Sequence, residues 1–150
     1  MEITIEKFLE YTIIMMKTSE AYLWYQTLLK PSWAPPSWIF GPVWTLLYLA
    51  IAFTFGTVLV EAFQKTIPGL VALPFVLNLL FNFAFTPLQF GLRSNVLAAV
   101  DIALVLVTLI WALFAVWPYM RFVVYANLPY LAWVLFASAL QFTITYLNTR

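Results

Sequence analysis

The sequence predicts an all-α integral membrane protein. Of its 150 residues, 65% are hydrophobic and only 9% are charged, which is more apolar surface than a soluble domain of this length can bury. Four apolar stretches are each long enough to cross a hydrocarbon core of about 30 Å as a helix. They cover residues 39–60, 70–90, 96–116 and 123–147. Short polar turns separate them, which predicts antiparallel neighbours in one domain over residues 1–150.

The composition also limits the chemistry that the chain can perform. It contains no Cys and no His, so thiol nucleophiles and imidazole bases or ligands are excluded. We therefore expect no conventional enzyme, no metal and no tightly bound cofactor. The net charge of +1 argues against nucleic-acid binding, which requires a basic face.

The N-terminal segment, residues 1–23, differs from the four apolar stretches. It carries acidic and basic side chains throughout, while Ile5, Phe8 and Leu9 recur at helical spacing. This pattern predicts a short amphipathic helix that lies at the membrane interface or against the bundle. A degenerate first span is the alternative interpretation.

The next segment, residues 24–38, is rich in Trp and Pro. The stretch Trp24–Trp44 holds four of the seven Trp, and Pro31, Pro35 and Pro36 remove backbone donors and fix φ. This predicts a stiff aromatic loop. It is either a lid over a cavity or an anchor at the membrane surface, where Trp is common.

Basic residues predict how the bundle is oriented. Four of them fall on the side of the Trp/Pro loop and two on the other: Lys17, Lys30, Arg93 and Arg150, against Lys65 and Arg121. The positive-inside rule then places the loop and the C-terminus in the cytoplasm. The N-terminus shows no signal-peptide pattern, and we expect the protein to lie in a prokaryotic cell membrane.

Polar and aromatic side chains inside the spans form stripes. Asn78, Asn82, Phe85 and Gln89 lie on one face of the second span. They are either interhelical hydrogen-bonding groups, worth about 0.6 kcal/mol each, or one wall of a ligand cavity. Two further one-turn pairs, Trp44 with Tyr48 and Trp133 with Ala137, favour a cavity for a flat and largely apolar ligand.

The third span contains Asp101, which is the one acidic residue within the four spans. We interpret it as a partner of the helix N-terminus or of Arg93.

Five strings in order carry a resemblance to a known family. They are WYQTLLKPSWAPP, FGPVWTLLY, NLLFNFAFTPLQF, AAVDIALV and PYLAWVLFA. The chain resembles the TspO/MBR family, the tryptophan-rich sensory proteins, whose mitochondrial members are called translocator protein or peripheral benzodiazepine receptor. The resemblance implies a bundle of five helices, usually a homodimer. Here the short charged N-terminal helix stands in place of the usual first span.

The resemblance also implies a ligand and a site. Family members bind porphyrins such as protoporphyrin IX in a cavity inside the bundle, which implies a role in tetrapyrrole sensing, transport or homeostasis. A porphyrin's propionates would then lie near Lys30 at the mouth. The implied ligand contacts are Tyr25, Trp33, Pro35, Trp44, Tyr48, Asn78, Asn82, Phe85, Gln89, Trp133 and Ala137.

Two alternative functions stay open at this point. The resemblance implies light- and oxygen-dependent porphyrin degradation that uses Trp44 and Trp133. A sterol- or lipid-binding or scaffold protein is the other alternative. Leu140, Tyr146 and Arg150 satisfy a permissive cholesterol-recognition pattern. Small residues on the third span would allow close packing at a dimer face: Ala98, Ala99, Ala103 and Ala112.

Overall fold

The computed structural model describes residues 4–150, with the side chains of residues 12, 13 and 15–18 left out. This part of the chain forms seven α-helices: α1 (Ile5–Thr18), α2 (Glu20–Thr27), α3 (Phe40–Phe63), α4 (Leu73–Thr86), α5 (Asn95–Val116), α6 (Arg121–Ala126) and α7 (Leu128–Asn148). Short 3-10 turns at Ser37–Ile39 and Gly69–Val71 lead into α3 and α4, and a π-helical turn, Pro87–Gly91, extends α4.

Four helical stretches are long and apolar enough to cross a membrane. They are Ser37–Phe63, Gly69–Gly91, Asn95–Val116 and Leu128–Asn148. The first three agree with the predicted spans 39–60, 70–90 and 96–116 to within one helical turn. The prediction of an all-α integral membrane protein is therefore confirmed.

The predicted start of the fourth span, at residue 123, is wrong. The chain breaks at Asn127, which ends α6 and precedes α7. Pro129 then lies in the first turn of α7, where a missing backbone donor costs nothing. The Asn127 Nδ2 atom donates to the Val123 carbonyl at 2.8 Å and to Thr54 Oγ1 at 3.0 Å. The break is thus fastened to α3 by a fully buried amide.

The N-terminal helix predicted over residues 1–23 is divided into two helices, and the first three of these residues lie outside the described part of the chain. Two helices meet at Ser19, whose backbone is extended and whose side chain accepts a hydrogen bond from the Tyr22 N–H at 3.2 Å. Ser19 is therefore the N-cap of α2. Because α2 continues to Thr27, the non-helical part of the Trp/Pro segment begins at Leu28.

Helix α5 is the centre of the bundle and packs against both α4 and α7. Ala98 and Ala112 are fully buried there, because small side chains let neighbouring helices approach closely. They consequently do not belong to an outward dimer face, and Ala99 and Ala103 are themselves half-buried. Ala98 and Ala112 are thus excluded from the predicted scaffold surface, whereas a dimer face that includes Ala99 and Ala103 stays a prediction.

Helix α3 is joined to the other helices by large rings. Phe55 contacts Phe75 edge-on with ring centroids 4.8 Å apart, and it lies 6.4 Å from the Tyr130 ring. Trp44 meets the other side of Tyr130 at 6.2 Å. Rings of this size hold helix axes further apart than alanines do. A gap can therefore form between α3 and the α4–α5–α7 layer.

Helix α1 supplies a test of how the N-terminus meets the membrane. At about 1.5 Å per residue, its 14 residues are shorter than a hydrocarbon core of about 30 Å. Its C-terminal end is on the side of Arg93, which pairs with Glu20 at 3.4 Å.

We expect Glu6→Cys and Glu10→Cys to react with an impermeant maleimide from the same side of the membrane as Arg150→Cys, whereas Lys65→Cys should react from the other side. Labelling of Glu6→Cys from the Lys65 side would establish a fifth span instead.

Candidate functional site

A cavity of about 510 Å³ lies at the end of the bundle that carries α2. Helices α2, α3, α4, α5 and α7 all contribute to its wall, which is mostly apolar and aromatic. The lining residues are Ser19, Ala21, Tyr22, Tyr25, Ser37, Phe40, Gly41, Trp44, Tyr48, Asn82, Phe85, Thr86, Gln89, Phe90, Ile102, Val105, Ala137, Leu140, Gln141 and Ile144.

Helix α2 covers the mouth of this cavity. Its Trp24 and Tyr25 rings lie on Phe90 of the α4 extension, with centroids 6.2 and 6.3 Å away. Burial raises the pKa of the Tyr25 hydroxyl, so the phenol stays neutral at physiological pH. The predicted segment 24–38 thus contributes Tyr25 and Ser37 to the cavity wall, and its first four residues are helical.

Lys30 holds the C-terminal end of α2 and does not line the cavity. Its Nζ atom donates to the Tyr25 carbonyl at 2.8 Å and to the Leu28 carbonyl at 3.3 Å. The same ammonium lies 4.6 Å from the centroid of the Tyr25 ring. Desolvation lowers the pKa of Lys30, although these carbonyls favour the charged form. The expectation that Lys30 is a propionate partner at the mouth is not supported by this placement.

The Trp/Pro loop, Leu28–Pro36, leads away from the mouth towards α7. The Leu29 N–H donates to Asn148 Oδ1 at 3.0 Å, and Asn148 Nδ2 donates back to the Leu29 carbonyl at 2.9 Å. Trp33 packs on Phe136 with centroids 5.9 Å apart. Trp33 and Pro35 consequently lie outside the cavity, because α2 already occupies the position that the loop was expected to fill.

The amides of α4 belong to a chain of hydrogen bonds that crosses the bundle. Tyr48 Oη donates to Asn82 Oδ1 at 2.6 Å, and Asn82 Nδ2 donates to Tyr130 Oη at 2.7 Å. Tyr130 Oη then donates to Asn78 Oδ1 at 2.9 Å. Asn78 is fully buried behind the wall, and its Nδ2 atom donates to the Val105 carbonyl at 2.9 Å. Asn78 is therefore an interhelical hydrogen-bonding group, whereas Asn82 both bonds to a neighbouring helix and lines the cavity.

A second polar group joins α4, α5 and α7 near the mouth. Gln89 Nε2 donates to Asn95 Oδ1 at 3.0 Å, and Gln141 Nε2 donates to Gln89 Oε1 at 3.1 Å. Thr145 Oγ1 completes the group by donating to the Asn95 carbonyl at 2.9 Å. These bonds fix the amide side chains of Gln89 and Gln141 on the cavity wall.

The structure brings together most of the residues predicted for the site, but not all of them. On the cavity wall lie Tyr25, Trp44, Tyr48, Asn82, Phe85, Gln89 and Ala137; outside it lie Trp33, Pro35, Asn78 and Trp133. Sequence reasoning left Gln141 out of the site and missed Tyr130. Tyr130 lies two helical turns before Ala137 and thus on the same face of α7, so spacing was the signal that pointed to it.

Trp133 is directed away from the cavity. Its ring contacts Phe40 and Phe136 at centroid distances of 5.8 and 5.4 Å, and it lines a shallow outer groove with Val43 and Pro129. The indole Nε1 is buried and has no hydrogen-bond partner among the residues that the structure describes. Its neighbour Phe40 lines the cavity, whereas Trp133 does not.

Two further sequence interpretations do not agree with the structure. Leu140 is buried and faces the cavity, while Tyr146 is exposed and carries the Arg150 guanidinium 4.1 Å from its ring. These three residues therefore do not form one sterol-binding surface. Of the two partners predicted for Asp101, Arg93 is wrong, because Arg93 pairs with Glu20 at 3.4 Å and Asp101 Oδ2 is buried with no hydrogen-bond partner in the described part of the chain.

Comparison with known proteins identifies the family. The model of the TspO/MBR family matches residues 7–147. The chain belongs to the TspO/MBR family. Because the match includes most of α1, this helix belongs to the family pattern and is not an unrelated extension.

Individual relatives agree with this assignment. The chain is 35% identical over 125 residues to the tryptophan-rich protein TspO of Chlorobaculum tepidum, covering 83% of this chain and 79% of that protein. It is 36% identical over 131 residues to the human translocator protein, covering 83% and 75%. It is 30% identical over 128 residues to the tryptophan-rich sensory protein of Cereibacter sphaeroides, covering 83% and 77%.

Asn78 allows the structural role of the buried amides to be measured. We expect Asn78→Ala to destabilise the protein by about 1–3 kcal/mol, because it removes the acceptor of the buried Tyr130 hydroxyl and the bonds that Asn78 Nδ2 donates to α5. Gln64→Ala, which removes an exposed amide, is the control and should be neutral. Thermal unfolding in detergent, followed by near-ultraviolet circular dichroism, compares the two. Equal melting temperatures for both variants would contradict a structural role for Asn78.

Proposed function

We propose that this TspO/MBR protein binds porphyrins of the protoporphyrin IX type in the cavity below α2, and that it acts in tetrapyrrole sensing, transport or homeostasis. The observation that carries the proposal is the cavity itself. Its volume of about 510 Å³ falls within the range of about 300–1,000 Å³ typical of ligand sites. Its wall is largely aromatic, and the short helix α2 contributes three of the lining residues.

The arrangement of rings suits a flat conjugated ligand. Trp44 and Tyr48 both line the cavity, with ring centroids 5.4 Å apart and planes inclined by only 32°. Tyr25 and Phe85 contribute rings from the lid and from α4. Stacking on such faces is favourable for any planar π system, and the few amides on the wall can orient it.

The names of the relatives support the wider role. Proteins called tryptophan-rich sensory protein and translocator protein are 30% and 36% identical to this chain. Lys30, Arg93 and Arg150 lie at the same end of the bundle as the mouth, whereas Lys65 and Arg121 lie at the other. By the positive-inside rule, we propose that the cavity opens towards the cytoplasm.

Porphyrin degradation driven by light and oxygen is a second proposal, and Trp44 is the observation that favours it. Of the two Trp expected to take part, Trp44 lines the cavity and Trp133 does not. A porphyrin held there would touch the indole of Trp44, which lines the cavity together with Phe40.

Porphyrin titration of two matched variants tests the proposed function. We expect protoporphyrin IX to quench the Trp fluorescence of the protein in nanodiscs with saturation in the low-micromolar range. Trp44→Phe should weaken binding about three- to tenfold, since part of the stacking face is lost. Trp133→Phe should stay within about twofold of the wild type, because this ring does not line the cavity.

Empty nanodiscs of the same lipid correct for partitioning of the porphyrin into the bilayer. Quenching that does not saturate beyond this background would rule out the proposed function. A larger loss of affinity in Trp133→Phe than in Trp44→Phe would place the porphyrin elsewhere on the molecule.

A further inference from the structure

The hydrogen-bond chain from Tyr48 to Val105 has only one chemically allowed direction. A backbone carbonyl accepts hydrogen bonds and never donates them. Asn78 Nδ2 lies 2.9 Å from the Val105 carbonyl, so the amide nitrogen of Asn78 must be on that side. Its oxygen Oδ1 then faces Tyr130, and the amide orientation follows from the carbonyl and not from an arbitrary assignment of O and N.

The direction of each further hydrogen bond, from Asn78 outwards to the cavity, follows from the one before it. Because Asn78 Oδ1 is an acceptor, the Tyr130 hydroxyl must donate to it, at 2.9 Å. The lone pair of Tyr130 Oη therefore needs a donor, which is Asn82 Nδ2 at 2.7 Å. This leaves Asn82 Oδ1 facing Tyr48, so the Tyr48 hydroxyl must donate to it, at 2.6 Å.

The end of the chain defines what the cavity offers to a ligand. The single hydrogen of the Tyr48 hydroxyl is used by Asn82, and a hydroxyl has no second hydrogen to give. Tyr48 lines the cavity and is 37% exposed. Its oxygen therefore presents lone pairs alone, and a ligand group that meets it must donate a hydrogen bond.

We propose that Tyr48 is a specificity-determining acceptor, and that the cavity selects flat aromatic ligands bearing an N–H or O–H at their edge over ligands of the same shape that bear only an acceptor. This inference rests on the proposed use of the cavity as a ligand site. An acceptor-only ligand places its lone pair against that of the Tyr48 oxygen, so no hydrogen bond forms between them and the ligand acceptor is left without a donor there.

Tyr130 is the positioning residue for this selectivity. It is 1% exposed and does not line the cavity, so it acts on a ligand only through Asn82 and Tyr48. Without its hydroxyl, the Asn82 amide has no fixed partner on its inner side and is free to turn. The Tyr48 hydroxyl then either donates or accepts, and the preference for a donor disappears.

Carbazole and dibenzofuran provide matched probes, because these planar tricycles differ by an N–H donor in place of a ring oxygen. We expect carbazole to bind the wild-type protein in nanodiscs at least about fivefold more tightly than dibenzofuran, as for one neutral hydrogen bond. In Tyr130→Phe the ratio of the two affinities should fall to about one. Tyr125→Phe removes an exposed hydroxyl on α6 and should keep the wild-type ratio. Calorimetric titration against empty nanodiscs measures all of these affinities.

Equal affinities of the two probes for the wild-type protein would overturn the proposal, as would a folded Tyr130→Phe protein that keeps the wild-type ratio. If Tyr130→Phe does not fold, Tyr48→Phe decides the matter, because it removes the acceptor oxygen and must also abolish the preference. Porphyrin titration is independent of these probes. Saturable porphyrin binding with no probe binding above background would overturn this inference alone, whereas selective probe binding without porphyrin binding would reject the proposed porphyrin ligand alone.

Discussion

The hydroxyl of Tyr130 is the interaction on which the rest of the bundle depends. In a bilayer no water reaches the amides of α4, so each needs a partner within the protein. Tyr130 satisfies two of them at once, accepting from Asn82 at 2.7 Å and donating to Asn78 at 2.9 Å. Its ring meanwhile contacts Trp44 and Phe55 of α3. One side chain of α7 thus fixes the hydrogen bonds of the α4 amides and the spacing between α7 and α3.

The cavity is a consequence of this arrangement. Where the helices carry small residues, as at Ala98 and Ala112, they close up and bury their contacts. Where α3 presents Trp44 and Tyr48, the helices stay apart and the rings line open space. Helix α2 then covers the opening, held at its C-terminal end by Lys30. The cavity-lining residues Tyr48 and Asn82 and the buried structural residues Tyr130 and Asn78 therefore belong to one hydrogen-bond chain.

Much of this could be predicted from the sequence. Length and hydropathy predict the four spans, because the thickness of a bilayer leaves few alternatives. Helical spacing places Asn82, Phe85 and Gln89 on one face, and all three line the cavity. Spacing cannot separate Asn78 from them, because the depth at which the cavity ends depends on Tyr130 of a different helix.

The remaining differences have local causes. The prolines suggested a loop from Trp24 onwards, but the first of them is Pro31, so nothing prevents α2 from continuing to Thr27. Pro129 is compatible with both a continuous helix and a new helix start, and the buried bonds of Asn127 decide for the latter. Trp133 lies one turn before Ala137, yet its large ring packs beside Phe40 on the outer side of the wall. The direction of the Trp133 side chain depends on its packing against α3, and the spacing of residues within α7 does not reveal that contact.

Filling the cavity tests most directly whether it is the porphyrin site. An achiral porphyrin gains a circular dichroism signal in its Soret band only when it is held in a fixed chiral environment. Ala137→Trp would place a large ring inside the cavity, whereas Ala52→Trp would place the same ring on the exposed face of α3. We expect the induced signal of bound protoporphyrin IX in the wild type and in Ala52→Trp, and its loss in a folded Ala137→Trp protein. An undiminished signal in Ala137→Trp would contradict the account.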